Sequence, residues 1–179
     1  MKRRAHGVVL LVVTLLAFSH YVLRGWERGG RRANPTPEFT GPVVAVIDGD
    51  TIDVMHDGQS ERVRLDAVDC PERGQAFGAR AKQFTSSLVF GQNVTVRSSG
   101  QDRYGRTIGD VLLPDGRSLN QELVKSGMAW WYGTHSDSKT LENLESEARS
   151  QRRGLWSDAH PTAPWEWRHR GGLAASPQQ

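Results

Sequence analysis

The chain has 179 residues, 37% of them hydrophobic and 24% charged, which is enough for one domain with its own core and excludes a disordered segment. Its single cysteine, Cys70, excludes an intrachain disulfide and so a disulfide-stapled mini-fold. The formal charge of +3 resides in the first 32 residues, with seven basic side chains against one acid, and sixteen basic and nineteen acidic residues follow. Bulk attraction to nucleic acid is thereby excluded, and any such binding must rest on local clusters.

The chain opens on Lys2-Arg3-Arg4 and a mostly apolar run over residues 7–23. That run is long for a signal-peptide core and short for a membrane span. Residues 1–23 therefore read as a signal peptide or a membrane anchor, and under either reading the protein is exported. Ala17-Phe18-Ser19 offers a small-x-small cleavage pattern, while Tyr21 and Trp26 suit an interfacial belt. Residues 24–42 are polar and rich in Gly and Pro, the composition of a flexible linker.

Strand signals follow at 43–47, 51–56 and 61–68, the last two joined by Asp57-Gly58, a strong hairpin signal. In the third run Val63, Leu65 and Ala67 alternate with Arg62, Arg64 and Asp66, giving one buried and one charged face. Phe77, Ala81, Phe84 and Leu88 recur at helical spacing before Gly91. Two more strands are expected at 93–98 and 107–113. Ser118 and Gln121 form a capping box that opens a short helix, and a last helix is expected over 138–153 with Leu141, Leu144 and Ala148 inward. The order β-β-β-α-β-β-α-α predicts an α+β, mainly β fold: a closed five-stranded barrel of OB type with three helices, over residues 43–158, preceded by the apolar leader helix. A tail, 159–179, carries Trp165 and Trp167, which are expected to pack back on the barrel, and residues 171–179 have a disordered composition.

Four segments concentrate chemistry: I-D-G-D-T, R-L-D-A-V-D-C-P-E, D-R-Y-G-R and A-W-W-Y. Asp48 is read as shaping its turn, with Gly49 giving backbone freedom. Asp50 and Asp69 are hard oxygen ligands from two loops, a set that suits Ca²⁺. Cys70 has no partner cysteine and the six histidines are scattered, so zinc is not indicated. Arg64 and Arg106 are suited to grip a phosphate with charge-assisted bonds, and Glu72 lies near enough to Asp69 to face the same place. Together these are the parts of metal-assisted phosphodiester hydrolysis. Arg64 and Asp69 have opposite parity, so a bulge or turn near Val68 must bring both to one site.

The pattern D-G-D-T, then R-L-x-x-V-D-x-P-E, then D-R-Y-G-R resembles staphylococcal-nuclease-like (thermonuclease) domains over residues 43–156. The resemblance implies a nuclease acting on DNA and RNA as a monomer, with Asp50, Asp69 and the backbone carbonyl of Cys70 holding Ca²⁺. It further implies that Arg64 and Arg106 contact the scissile phosphate and Glu72 acts as general base. Tyr104 would lie near the nucleotide phosphate, and Tyr132, in the cluster Trp130-Trp131-Tyr132, is the candidate for stacking on a base. The loop after Glu72 is shorter than in the best-known secreted member, so a more open rim is expected. The competing expectation is a non-catalytic OB module at the membrane, binding single-stranded nucleic acid or a protein.

Overall fold

A computed structural model describes residues 37–134 and 136–171. The leader 1–23, most of the linker and the end of the tail lie outside the described residues. The elements are β1 (Glu38–Val46), β2 (Thr51–His56), β3 (Gln59–Leu65), β4 (Val68–Asp69), α1 (Gly78–Val89), β5 (Asn93–Gln101), β6 (Thr107–Leu112), α2 (Leu119–Lys125), β7 (Trp130–Trp131), α3 (Lys139–Ser150), a 3₁₀ turn (Gly154–Ser157) and α4 (Pro164–His169). Five strands close into a barrel in the order β1-β2-β3-β6-β5, and β4 pairs with β7 in a separate two-stranded ribbon. The α+β, mainly β barrel expected from the sequence is the observed fold.

The barrel closes because the alternating strands agree on what is inside. Ile52, Val54, Val63, Leu65, Val94, Val96 and Val111 are all buried and form one core with Leu119 and Leu123 of α2. Asp57 and Gly58 both take positive φ, 48° and 77°, as a two-residue hairpin turn matched to strand twist requires. Ser118 caps α2 by accepting from the Gln121 amide, and Ser138 caps α3 by accepting from the Leu141 amide.

Besides the break of the expected 61–68 strand into β3 and β4 and the β4–β7 ribbon, three features depart from expectation. β1 starts at Glu38, so residues 38–42 are strand rather than linker. They pair with β5, whereas residues 43–46 pair with β2, so one strand changes neighbour at Gly41-Pro42. A Cβ at Gly41 would stand 1.8 Å from the Met55 carbonyl oxygen, so this corner demands glycine although Gly-Pro reads locally as a linker. α3 ends at Ser150, three residues early, where the chain turns through Arg152 at φ 53°. Finally, the tail contains a fourth helix, α4, with Pro164 at its first position.

Candidate active site

The mouth of the site is built first by the β1–β2 turn. The Asp50 amide donates to Asp48 Oδ1 (3.1 Å), so Asp48 shapes the turn as expected. Gly49 serves differently: its φ is not left-handed, but a Cβ there would lie 2.6 Å from Cys70 Cβ and 2.9 Å from Ala81 Cβ. Close approach to Cys70 and α1, not conformational freedom, is what this glycine provides. The Thr85 hydroxyl on α1 donates to the Gly49 carbonyl and fixes the turn from below.

The parity problem between Arg64 and Asp69 is solved at Asp66-Ala67. β3 stops at Leu65, and Ala67 takes φ 61°, a left-handed residue that turns the chain before β4 begins. The Tyr132 amide donates to the Ala67 carbonyl (2.9 Å), and β4 pairs with β7, so the kink is held in place. Arg64 then lies across the gap. It donates to the carbonyls of Leu65 (3.2 Å) and Val68 (3.0 Å), to Asp69 Oδ1 (2.9 Å), and pairs with Asp50 Oδ2 (3.0 Å). One guanidinium thus bridges both carboxylates that the sequence singles out.

These groups are largely out of water. Asp50 is 5% and Asp69 2% exposed, and the Cys70 amide donates to Asp50 Oδ2 (2.6 Å). Burial lifts the Asp50 carboxyl to about 7, against the pull of Arg64 and with help from Asp48. Burial also works against the charge of Arg64, but Asp50 and Asp69 outweigh it and hold its pKa above the ordinary value. The Cys70 thiol is pushed well up, first by burial and then by Asp50, so it is a packed, protonated group.

A cleft of about 690 Å³ opens over these residues and takes in Glu72, Tyr104, Arg106 and Tyr132 as well. Every site residue expected from the sequence therefore lines one cavity. Arg106 stands on the β5–β6 turn, which Asp102 organises by accepting from the Tyr104 amide (2.8 Å), the Arg106 amide (3.0 Å) and Arg106 Nε (2.7 Å). Tyr104 is 70% exposed, with the guanidinium groups of Arg103 and Arg106 at 4.8 and 5.7 Å from its ring centre. Tyr132 stacks on Trp165, ring centres 5.3 Å apart, and Trp130 meets Trp165 edge-on at 5.5 Å.

One residue of the cleft was not anticipated. Arg168, on α4, donates to Asp69 Oδ1 (3.2 Å) and Oδ2 (2.8 Å) and to Glu72 Oε1. Its hydrogen bonds to Asp69 hold its pKa further above the ordinary arginine value. The rim after Glu72, expected to be open, is therefore occupied by the tail. Nothing periodic announces this; the only local signal was Arg168 beside two tryptophans in a tail expected to fold back.

Among the described residues no three His, Cys, Asp or Glu side chains cluster as a ready metal site. The cleft is nonetheless lined by six acidic and four arginine side chains, a surplus of two negative charges once Asp50 is ionised. That surplus, with hard oxygens at its centre, is suited to a divalent cation.

The family model described as "Staphylococcal nuclease homologue" matches residues 62–158. The chain is 48% identical over 178 residues to Protein ParB of Escherichia coli, covering 94% of both chains. An uncharacterized endonuclease of Escherichia coli O157:H7 is 48% identical over 133 residues, 74% of this chain and 87% of that protein. A micrococcal nuclease of Shigella flexneri is 47% identical over 142 residues, 73% of this chain and 81% of that protein. These relationships set aside the non-catalytic binding module. The chain belongs to the staphylococcal nuclease family and is a nucleic-acid-hydrolysing enzyme.

Proposed function

We propose that the cleft hydrolyses phosphodiester bonds of DNA and RNA with a calcium ion, leaves 3′-phosphate ends, and works outside the cytoplasm. The observation that carries this is the sharing of the Arg64 guanidinium between buried Asp50 and Asp69, in a cleft also lined by Glu72 and Arg106. Asp50, Asp69 and the Cys70 carbonyl would hold the cation. When bound, it supplies Lewis-acid charge for a phosphate oxygen and a site for water.

The chain's own groups do the rest. Glu72 accepts a proton from the attacking water at its carboxylate. Arg64 and Arg106 donate to the non-bridging phosphate oxygens, and their bonds strengthen as negative charge gathers there. Arg106 exchanges its Asp102 partner for the substrate, whereas Arg64 stays anchored by two carbonyls. The bond from phosphorus to the 5′ oxygen breaks, and that oxygen takes up a proton from solvent, giving a 5′-hydroxyl and a 3′-phosphate. Tyr104 faces the nucleotide, and Tyr132 extends its aromatic pair with Trp165 toward a base. Residues 2–4 and 7–23 support action beyond the membrane, as a released or an anchored enzyme.

The test is a cleavage assay on DNA and RNA with EGTA, Ca²⁺, Mg²⁺ and Mn²⁺, followed by end-group identification. EGTA should abolish cleavage, Ca²⁺ should restore it, and the products should carry 3′-phosphates. Undiminished cleavage in EGTA, or 5′-phosphate ends, overturns the proposal.

A further inference from the structure

Glu72 is 36% exposed at its side chain and sits on a loop after Pro71. A glutamate that open to solvent has several rotamers within reach, and fixing one costs about 1–2 kcal/mol of side-chain entropy. A base for water must nevertheless hold one position, because an error of about 1 Å costs on the order of 10²-fold in rate. Among the described residues, the only side chain bonded to the Glu72 carboxylate is Arg168.

Arg168 is built to hold it. Its guanidinium spans both Asp69 oxygens and reaches Glu72 with the same Nη1 that touches Asp69 Oδ1, so a planar fork sets one carboxylate against the other. Asp69 is itself immobile, 2% exposed and gripped by Arg64. The tail is docked at two further points. Trp165 lies on Tyr132 and Trp130. The Gln75 side chain, only 7% exposed, donates to the Thr162 carbonyl (2.7 Å) and accepts from the Glu72 amide (2.9 Å). The tail and the Glu72 loop are thus joined twice, through backbone by Gln75 and through side chains by Arg168.

We infer that Arg168 is a positioning residue: it fixes the Glu72 carboxylate relative to Asp69, and the tail helix is a working part of the active site. This rests on the reading of Glu72 as the base. Arg168 acts through Glu72 on the chemical step, not on nucleic-acid binding. Arg168→Ala should therefore lower kcat about 10- to 100-fold while leaving KM for DNA unchanged, with Arg168→Lys in between because an ammonium lacks the fork. Millimolar guanidinium should restore kcat in Arg168→Ala, an outcome a merely structural role does not give. Arg170→Ala, at the C-cap of the same helix and paired only with Glu166 among the described residues, serves as control.

A second measurement does not depend on turnover. In the full chain without added metal, side-chain ¹³C relaxation of Glu72, assigned with Glu72→Gln, should show an ordered side chain that becomes mobile in Arg168→Ala and ordered again with guanidinium. Equal order with and without Arg168 overturns the inference, as does a rise in KM at constant kcat, or a faster Arg168→Ala enzyme, which would make Arg168 a blocking cation. A wild-type protein that cuts nothing with any metal defeats the functional reading instead, and the relaxation data still decide the role of Arg168.

Discussion

The barrel mouth and the tail meet in one cleft but are stabilised in opposite ways. Asp50 and Asp69 are buried with Arg64 largely shielded between them, and backbone groups of residues 65–70 hold them: the Cys70 amide, the Leu65 and Val68 carbonyls, the Ala67 turn. The tail contributes a six-residue helix, held by aromatic contacts, one amide side chain and the ion pairs of a half-exposed arginine. The first arrangement is preformed by folding; the second is a docked segment whose grip is local and separable. Rigidity needed by two charged ligands comes from the barrel, and the finishing constraint on Glu72 comes from a piece that can be loosened without unfolding the rest.

Loss of Arg64 should give the largest effect on the barrel side. Arg64→Ala removes a phosphate donor and leaves two buried carboxylates facing each other, so kcat should fall on the order of 10³-fold and the melting temperature should drop as well. An active, undestabilised Arg64→Ala enzyme would break the contrast. On the tail side, Trp165→Ala should unseat α4 and cost roughly 10-fold in kcat, with a melting temperature only a few degrees lower, since the closed core is untouched. Unfolding of the whole domain by this change would show that the tail is not separable.

The remaining two effects sharpen the comparison electrostatically. With its folded pKa raised to about 7, Asp50 is ionised at pH 8 in a buried place, whereas at pH 5 it is protonated. A raised carboxyl contributes stability that is complete below its unfolded pKa and lost as pH climbs through the folded value. Without metal, Asp50→Asn should therefore be about 1–2 kcal/mol more stable than wild type at pH 8 and gain clearly less at pH 5; with metal added back it should be inactive at both. Thermal melts at the two pH values with EGTA check this; an Asp50→Asn protein less stable at pH 8 than at pH 5 relative to wild type counts against it. Glu145 gives the smallest effect. Burial raises its pKa too, opposed by Arg149 and the Trp131 amide. The same sign holds, so Glu145→Gln should gain relative to wild type between pH 4 and pH 7, by under about 1 kcal/mol, and cleavage should not change.

Much of this was legible in the sequence because it is written locally. Val63 and Leu65 alternate with Arg62 and Arg64, Asp57-Gly58 marks a hairpin, and Ser118 and Ser138 announce their helices. What escaped depends on space. Gly41-Pro42 looks like a linker, and only the nearness of Met55 shows why a strand passes there. The parity of Arg64 and Asp69 does call for a turn near Val68, but which residue carries it, Ala67 in the left-handed region with no glycine nearby, is not written in the sequence. Arg168 meets partners 96 and 99 residues away, a separation no periodicity can encode. The W-E-W-R unit holds the one clue, two aromatic anchors leading into a cation in a segment opened by a proline that can start a helix.

The corner at Gly41 has a bearing on solubility. Because a single strand bonds first one neighbour and then the other, every strand of the ring has two partners and none is left as an edge along its whole length for a foreign backbone to zip on. Valine at that corner would pry the seam apart and turn a sealed barrel into a nucleus for self-association.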